Sequence, residues 1–567
     1  MRKAKTFDVR QILPAALAAT LLAACGDSDS LGAAPGATDG SGAASTESRC
    51  SALAGSTIPA ADIGLPTKGA IISSATLVKA SAAANTSGEY CKVLGNILPV
   101  DFYAGLIQFE VDLPTDWNGK SVHFGGGGYD GTIPDTTTHA MSGFVVAAEA
   151  PGVPTPLARG YVTFGSDAGR QGGYGAASTL QNDETLANYA GAHIKKTRDV
   201  AAFLMKRQYG KPPARTYYVG GSGGGRQALY AAQRFPADYD GIISTFPASN
   251  LTGLFLQMAR ISQASLAPGG FISPTKGKLL TEAVMRECDP LDGARDGLVS
   301  NPDACQFDPA LLRCPDGQET ADACFSDAQL NTIVTAATPL NTGYDLANGI
   351  RRVPGYAILA GTDFFGATYA SLGASAQQAP DEFVSFGVSS PFYYLATNTT
   401  QYAIARDRNM TALRFNPVDP GPLTARTQAV SALWDATTTD LGAFERRGGK
   451  IILQHGLADQ AIPAQMSIDY YQRLLGRYGQ PALDRFLKFY LVPGAAHAIE
   501  NQFGGAYDAL AVLDNWVVNN AAPGDLIITD VGTPTAGRTR PLCPYPTWPR
   551  HDGSGDINSA ASFTCTR

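Results

Sequence analysis

The fold of this chain is constrained most by a serine that lies between glycines at a predicted strand–helix junction. Residues 216–219 predict a strand, the run Gly220-Gly-Ser-Gly-Gly224 follows it directly, and residues 226–235 predict a helix. The flanking glycines of a G-x-S-x-G run allow a turn tight enough to lift the serine hydroxyl off the sheet edge. A chain with 62 glycines can hold this spacing in a structural turn, but the strand and helix around it favour Ser222 as a nucleophile.

Short strands followed by glycine-rich turns and helices recur along the chain. Strands are predicted at residues 121–124, 161–164, 216–219, 451–453 and 489–492. Apolar residues at helical spacing predict a helix at residues 187–209. This alternation is typical of a doubly wound α/β sheet, in which active-site residues gather at the carboxyl ends of the strands. We therefore predict the α/β class, with an α/β-hydrolase fold that carries a large inserted lid domain.

The alternation disappears between residues 249 and 436, which we predict to be the lid domain. The catalytic domain is then discontinuous, at residues 50–248 and 437–567. The lid contains four cysteines, an acidic loop near residue 290 and a set of aromatic residues. These aromatics either stack on a substrate ring or form the core of the lid. They are Phe364, Phe365, Tyr369, Phe383, Phe386, Phe392, Tyr393 and Tyr394.

The N-terminus is predicted to be a targeting segment. Arg2, Lys3 and Lys5 give the chain a positive start, and the apolar stretch at residues 12–24 that follows is too short to span a bilayer as a helix. The stretch ends in Leu22-Ala-Ala-Cys25, which resembles a bacterial lipobox. Residues 1–25 are thus predicted to be a lipoprotein signal peptide with Cys25 lipidated, the alternative being an ordinary signal peptide with a chance cysteine. Residues 26–49, rich in Gly, Ala and Ser, predict a flexible linker.

These features predict an exported protein, either lipid-anchored to the bacterial outer membrane or periplasmic or secreted. The lipid at Cys25 would be its only attachment to the membrane. A net charge of −7 and the lack of a basic run exclude a nucleic-acid partner. We expect a monomer.

The cysteine count agrees with export. Nine cysteines less Cys25 leave eight, an even number that suits an oxidising compartment. Eight cysteines allow 105 pairings, and pairing of sequential neighbours is the simplest prediction. Those pairs are Cys50–Cys91, Cys288–Cys305, Cys314–Cys324 and Cys543–Cys565.

The order of residues along the chain selects a base and an acid for Ser222. In this type of fold the acid and then the histidine follow the serine. Of the six histidines, His455, His497 and His551 follow it. His497 comes after a predicted strand and turn, which suits a catalytic base, whereas His551 lies in a polar tail.

Asp459 follows the strand before that of His497 and is the predicted acid. Its alternative role is that of a turn residue or helix cap. His455, four residues earlier, is then predicted to be a wall of the substrate pocket.

The roles of these residues define a serine esterase mechanism. His497 takes the proton of Ser222 as the serine attacks the ester carbonyl, and Asp459 fixes the imidazole tautomer and stabilises the imidazolium. The oxyanion requires two backbone N–H donors. We assign these to Gly223, after the nucleophile, and to Gly128, in the glycine run 125–128.

Several motifs together resemble the tannase and feruloyl esterase family, which includes bacterial mono(2-hydroxyethyl) terephthalate hydrolases. The resemblance covers about Cys50 to Cys565. The motifs are the serine elbow followed by Arg226, the run His455-Gly-Leu-Ala-Asp459 with Pro463, the run Pro493-Gly-Ala-Ala-His497, and the ending Arg540-Pro-Leu-Cys-Pro-Tyr-Pro through Gly553-Ser-Gly-Asp-Ile-Asn to Cys565.

The resemblance implies a structural Ca²⁺ site inside the lid. The matching stretch would supply three carboxylates and two backbone carbonyls, a set of hard oxygen ligands. The spacing is not that of an EF-hand, and the residues alone would equally support a solvated acidic turn. The implied ligands are Asp289, Asp292, Ala294, Asp296 and Leu298.

The chain departs from the family pattern in two places. Members usually have a disulfide beside the active site, joining the residue before the serine to the residue after the histidine, and here Gly221 and Ala498 stand there. The terephthalate monoester hydrolases carry a lid arginine for the free carboxylate, and the stretch that matches here, residues 381–386, has acids and no Arg. An uncharged aromatic ester therefore fits better.

The resulting prediction is hydrolysis of small aromatic esters, of the feruloyl, hydroxycinnamoyl, galloyl or benzoate type. Residues predicted to contact the substrate are His455, Phe386 and Ile462. The alternatives are a mono(2-hydroxyethyl) terephthalate hydrolase and, from another class, a non-catalytic surface lipoprotein that binds a ligand.

Overall fold

The computed structural model describes residues 45–138, 152–172, 177–319, 322–366, 370–373, 390–497, 502–532 and 534–567. The predictions for the signal peptide, Cys25, Phe386 and Ala498 lie outside these residues, as do those for the linker up to residue 44. Residues Ser45–Arg567 group into one compact unit.

The strands of the described residues are β1 (Thr57–Ile58), β2 (Ala70–Val78), β3 (Tyr90–Ile97), β4 (Ile107–Pro114), β5 (Lys120–Phe124), β6 (Val162–Ser166), β7 (Arg215–Gly221), β8 (Gly241–Thr245), β9 (Leu340–Leu346), β10 (Ile350–Val353), β11 (Lys450–Gly456), β12 (Leu487–Val492), β13 (Gly505–Ala506), β14 (Leu526–Asp530), β15 (Thr539–Leu542), β16 (Trp548–His551) and β17 (Phe563–Thr566).

The helices of the described residues are α1 (Thr46–Ser51), α2 (Asp183–Ala187), α3 (His193–Tyr209), α4 (Gly223–Arg234), α5 (Leu251–Ser265), α6 (Pro274–Cys288), α7 (Asp327–Ala337), α8 (Pro391–Asn398), α9 (Thr424–Trp434), α10 (Gly442–Arg446), α11 (Ala464–Tyr478), α12 (Gln480–Leu483) and α13 (Ala509–Asn519). Two π-helical segments, Asn188–Ala192 and Thr399–Ala405, continue α2 and α8.

One large sheet organises the molecule, with the strand order β1-β2-β3-β4-β6-β5-β7-β8-β11-β12. The second half of this order is parallel and consists of β6, β5, β7, β8, β11 and β12. Strands β8 and β11 are buried along their whole length, as expected for parallel strands covered on both faces. The strands predicted from sequence are five members of this parallel half.

The other half of the sheet is antiparallel and was not predicted from sequence. Strands β1 to β4 pair antiparallel in order, and β4 joins β6 in the same way. The start of β2 alternates buried and exposed residues, which is typical of a sheet with one solvated face. The sheet is therefore mixed.

The carboxyl ends of the parallel strands meet at one edge and carry the predicted site residues. The glycine turn at 125–128 follows β5, and Ser222 follows β7 directly. Asp459 lies three residues after β11, and His497 lies five residues after β12. The fold thus brings four separate parts of the chain to one edge.

The predicted helices are present with different beginnings. Helix α4 begins at Gly223, three residues before the predicted position, so that it starts directly at the serine. The helix predicted at 187–209 is divided: α3 begins at His193, and the π-helical segment precedes it.

The described part of the segment 249–436 contains α5 to α9 and the β9–β10 hairpin. Its aromatic residues pack on each other: the rings of Phe364 and Phe392 lie 5.5 Å apart and contact Tyr356 at 5.0 and 5.2 Å. Phe364 and Phe392 are fully buried. These two aromatics therefore form core, and not a surface that stacks on a substrate.

The four disulfides join the sequential pairs predicted from the cysteine order. Cys50–Cys91 ties α1 to β3, and Cys543–Cys565 closes the C-terminal strands. The other two lie within the segment 249–436. Across the described residues, no helix has the length and apolar content that crossing a bilayer requires.

Candidate active site

Ser222, His497 and Asp459 form a continuous chain of hydrogen bonds. The Ser222 Oγ lies 3.0 Å from His497 Nε2, and His497 Nδ1 lies 2.9 Å from Asp459 Oδ2. Asp459 and His497 are buried, and Ser222 is partly exposed. This is the geometry of a serine nucleophile, a base and an acid that orients the base.

The serine occupies a strained turn that its neighbours impose. Ser222 has φ 58° and ψ −123°, a conformation that few non-glycine residues adopt. Its N–H donates to the Thr245 carbonyl at 3.1 Å. A Cβ on Gly220 would lie 2.4 Å from the Gly224 carbonyl oxygen, and one on Gly224 would lie 2.5 Å from that of Gly126. Side chains are excluded there because the turn packs backbone against backbone.

Asp459 is held ionised by its surroundings. Its Oδ1 accepts hydrogen bonds from the N–H groups of Ala461 and Ile462, both at 2.8 Å. Burial raises the pKa of Asp459, but His497 foremost, together with His455, more than offsets this and holds the pKa below its ordinary value. The carboxylate is therefore charged at neutral pH and can stabilise an imidazolium at His497.

Two residues that hold His497 were missed from sequence. The His497 N–H donates to the side-chain oxygen of Gln460 at 3.0 Å, and the ring of Phe246 lies 4.7 Å from the imidazole. Gln460 directly follows the predicted acid Asp459, so its position in the sequence could have identified it as a residue of the site. Phe246 follows β8 with φ 34°, and nothing in its sequence context distinguishes it from a core residue.

The backbones of the two predicted oxyanion donors, Gly128 and Gly223, lie close together. A Cβ on Gly223 would lie 3.2 Å from the carbonyl oxygen of Gly128 and 3.4 Å from its nitrogen. Among the described residues, no acceptor is hydrogen-bonded to the N–H of Gly128 or of Gly223. Both donors are thus free for a developing oxyanion.

A buried network supports the glycine turn. The Gly126 N–H donates to the Gln227 side-chain oxygen at 3.1 Å, and the Gln227 amide donates to Asp130 Oδ2 at 2.8 Å. The Tyr189 hydroxyl donates to the Gly128 carbonyl at 3.1 Å. These hydrogen bonds hold the backbone of Gly126 and Gly128 in place.

His455 and Ile462, which the sequence predicts to contact the substrate, are both buried in the structure. His455 is fully buried and Ile462 is 2% exposed, so neither side chain presents a surface to a substrate. His455 hydrogen-bonds to Ser467 and to the Ile462 carbonyl. Ile462 acts through its backbone, because its N–H donates to Asp459. Both residues support the acid.

The three carboxylates of the acidic loop have partners within the protein. Asp289 accepts the N–H groups of Asp296 and Gly297, and Asp292 accepts that of Ala294. Asp296 pairs with Arg540. Within the described residues, no group of three or more His, Cys, Asp or Glu side chains is arranged to hold a metal. Asp289, Asp292 and Asp296 thus each have a hydrogen-bond or ion-pair partner within the protein.

The donor chemistry of this loop still suits a hard cation. Burial, with the nearby charge of Asp296, raises the pKa of Asp292 to about 6. Burial likewise raises the pKa of Asp289. Carboxylates in this condition are stabilised by a cation, and calcium stays a prediction.

Comparison with known proteins reveals relatives over most of the chain. The profile of the family described as tannase and feruloyl esterase matches residues 91–566. An uncharacterized esterase of Agrobacterium fabrum is 40% identical over 529 residues, 91% of this chain and 92% of that protein. The mono(2-hydroxyethyl) terephthalate hydrolase of Piscinibacter sakaiensis is 32% identical over 540 residues, 86% of each chain.

Solved structures share the fold. Feruloyl esterase B from Aspergillus oryzae has a TM-score of 0.72 at 24% identity, with 92% of this chain and 100% of that chain covered. Tannin acyl hydrolase from Aspergillus niger has a TM-score of 0.63 at 21% identity, covering 89% and 93% of the two chains. The predicted α/β-hydrolase fold is thereby confirmed.

Buried carboxyl groups near the site predict how stability depends on pH. Burial raises the pKa of Asp130 and of Asp435 to about 7 and that of Asp167 to about 6. Between about pH 4 and pH 7 the folded chain keeps protons that the unfolded chain has lost, so stability falls as pH rises through this window. We expect a lower melting temperature at pH 8 than at pH 5, measured by calorimetry.

Asp130→Asn should make this decrease smaller, because the amide cannot ionise. The matched control is Asp116→Asn, since Asp116 is exposed and its replacement should leave the pH dependence unchanged. A melting temperature that rises from pH 5 to pH 8 in the wild type would contradict the assignment.

Proposed function

Because this chain belongs to the tannase and feruloyl esterase family, we propose that it hydrolyses aromatic carboxylic esters through an acyl-enzyme intermediate on Ser222. Relatives named as esterases cover most of the chain, and this supports carboxylic ester hydrolysis as the activity. The observation that carries the serine mechanism is the hydrogen-bonded chain from Ser222 through His497 to Asp459.

Acylation begins when Ser222 attacks the ester carbonyl. His497 Nε2 takes the serine proton, and the charge that develops on the carbonyl oxygen is stabilised by the N–H groups of Gly128 and Gly223. Asp459 stabilises the imidazolium. When the tetrahedral intermediate collapses, the ester C–O bond breaks and His497 passes its proton to the departing alcohol.

Deacylation repeats these steps with water as the nucleophile. His497 removes a proton from the water as the water attacks the acyl group on Ser222. Collapse of the second intermediate releases the carboxylic acid and returns the proton to the serine oxygen. Only water is consumed, and no other reactant is needed.

The proposed substrate is an uncharged aromatic ester of the feruloyl, hydroxycinnamoyl, galloyl or benzoate type. Relatives named feruloyl esterases and a relative named for a terephthalate monoester support an aromatic acyl group. The lack of an arginine at residues 381–386 favours acyl groups without a free carboxylate. The monoester of terephthalate is the second candidate, supported by the 32% identity of its hydrolase.

We also propose a structural Ca²⁺ in the lid, held by the side chains of Asp289, Asp292 and Asp296 and the carbonyls of Ala294 and Leu298. The ion would neutralise buried negative charge and fix the loop, and none of the steps above depends on it. Raised carboxyl pKa values in this loop support the proposal.

Export and lipidation at Cys25 are proposed from the lipobox-like run, with a monomeric enzyme at the cell surface or in the periplasm. Metabolic labelling with an alkyne fatty acid in an exporting bacterium tests this. The wild type should be labelled and Cys25→Ser should not. Equal labelling of both proteins would place the lipid elsewhere.

A hydrolysis panel tests the function. Methyl ferulate, methyl gallate and the mono- and bis(2-hydroxyethyl) esters of terephthalic acid should be compared with p-nitrophenyl acetate. We expect one aromatic ester to be preferred, and the uncharged bis ester to exceed the mono ester. Ser222→Ala should lose turnover by at least about 10⁴-fold, while Ser73→Ala, an exposed serine on β2, should keep it.

Covalent labelling separates catalysis from mere ligand binding. A fluorophosphonate should label wild type and Ser73→Ala but not Ser222→Ala. Folded wild-type protein that is neither labelled nor active would overturn the serine esterase proposal. Activity on p-nitrophenyl acetate alone would leave the mechanism standing and contradict the aromatic substrate.

Thermal unfolding with chelator and with Ca²⁺ tests the metal. Calcium at a hundredfold excess over its Kd should stabilise the wild type by about 2.7 kcal/mol. Asp292→Asn should lose this response, whereas Asp303→Asn, an exposed acid nearby, should retain it. An identical melting temperature with chelator and with Ca²⁺ would refute the site.

A further inference from the structure

Asp459 is approached by a second imidazole. His455, at the end of β11, places its Nε2 3.4 Å from Asp459 Oδ2, the same oxygen that His497 Nδ1 reaches at 2.9 Å. Both side chains at the 3.4 Å contact are fully buried. A buried carboxylate therefore lies between two histidines, of which the mechanism above uses one.

The partners of His455 define its tautomer. Its Nε2 lies 3.0 Å from the Ile462 carbonyl oxygen, which can only accept a hydrogen bond, so Nε2 carries the proton. Its Nδ1 is hydrogen-bonded to the Ser467 hydroxyl on α11 at 2.7 Å. The Nε2–H of His455 thus points to the Ile462 carbonyl, with a longer contact to Asp459 Oδ2.

The contacts close a ring around the acid. His455 donates to the Ile462 carbonyl, and the Ile462 N–H donates to Asp459 Oδ1 at 2.8 Å. The Ala461 N–H donates to the same oxygen at 2.8 Å. The imidazole therefore ties the far end of the loop 456–462 to the strand from which the loop starts, with the carboxylate inside.

We propose that His455 is a positioning residue that acts through Asp459, and this inference rests on the proposed function. It holds the loop so that Oδ1 is satisfied by backbone N–H groups and Oδ2 is directed at His497. A small rotation of the carboxylate would lengthen the bond to His497, and misplacement by about 1 Å can cost about 10² in rate. His455 touches neither the substrate nor the reacting atoms.

The test is His455→Gln, measured on the best ester of the panel. We expect kcat to fall about tenfold to a hundredfold with KM within about twofold. The acid limb of the pH–rate profile should move to lower pH, because a carboxylate that is held less firmly stabilises the imidazolium less. A residue that only supports folding would lower the melting temperature without moving this limb.

A double-mutant cycle identifies the residue through which His455 acts. In an Asp459→Ala background, His455→Gln should lower the rate of fluorophosphonate labelling by less than about twofold, since the carboxylate that it positions is gone. The same loss in both backgrounds would overturn the proposal. The labelling rate is used because it stays measurable when turnover is slow.

Two further variants keep the proposal testable if His455→Gln does not fold. Ser467→Ala removes the hydrogen-bond partner of His455 Nδ1 and should move the acid limb in the same direction by a smaller amount. His123→Gln is the matched control, because His123 is also buried but hydrogen-bonds to Tyr239 at 2.8 Å. It should lower the melting temperature and leave the acid limb in place.

The outcomes separate this inference from the function on which it rests. If the wild type neither hydrolyses the esters nor reacts with the fluorophosphonate, the proposed function itself is refuted. An active wild type, with an acid limb that neither His455→Gln nor Ser467→Ala moves, leaves the serine esterase intact and refutes only the role of His455.

Discussion

The rest of the site depends on one buried negative charge, that of Asp459. A carboxylate without solvent is costly unless hydrogen-bond donors replace its water. Here Ala461 and Ile462 supply N–H groups to one oxygen, and His497 and His455 approach the other. These donors come from the end of β11, the loop after β11 and the loop after β12, so the charge can be stabilised only when the sheet has placed β11 and β12 side by side.

The sheet also imposes the conformation of the serine. The backbone of Ser222 is strained by about 1–3 kcal/mol, and the surrounding structure holds it there. Its N–H is bonded to Thr245, its carbonyl accepts the N–H groups of Arg226 and Ala248, and the backbone of Gly224 packs directly on the glycine turn. Strain at the nucleophile is thus compensated by hydrogen bonds from the next strand and from the start of α4.

The sequence predicts those parts of the molecule whose pattern lies within a short run of residues. The turn at Ser222 and the strands of the parallel half can each be recognised from a short run of residues. The order of serine, acid and histidine along the chain then selected the three side chains that the fold brings together. The antiparallel strands were missed because their alternating residues, as in β2, form no continuous apolar run. The burial of His455 was not predicted, because the sequence gives its distance along the chain from Asp459 but not its exposure.

The end of β8 explains how the serine and histidine loops are held together without a disulfide between positions 221 and 498. Strand β8 lies between β7 and β11. At its end the Thr245 carbonyl binds the N–H of Ser222, and the Phe246 N–H donates to the Gln454 carbonyl on β11 at 2.7 Å. The ring of Phe246 then packs on His497. Two consecutive residues therefore contact the nucleophile, the strand of the acid and the base, and this non-covalent bridge fixes their spacing.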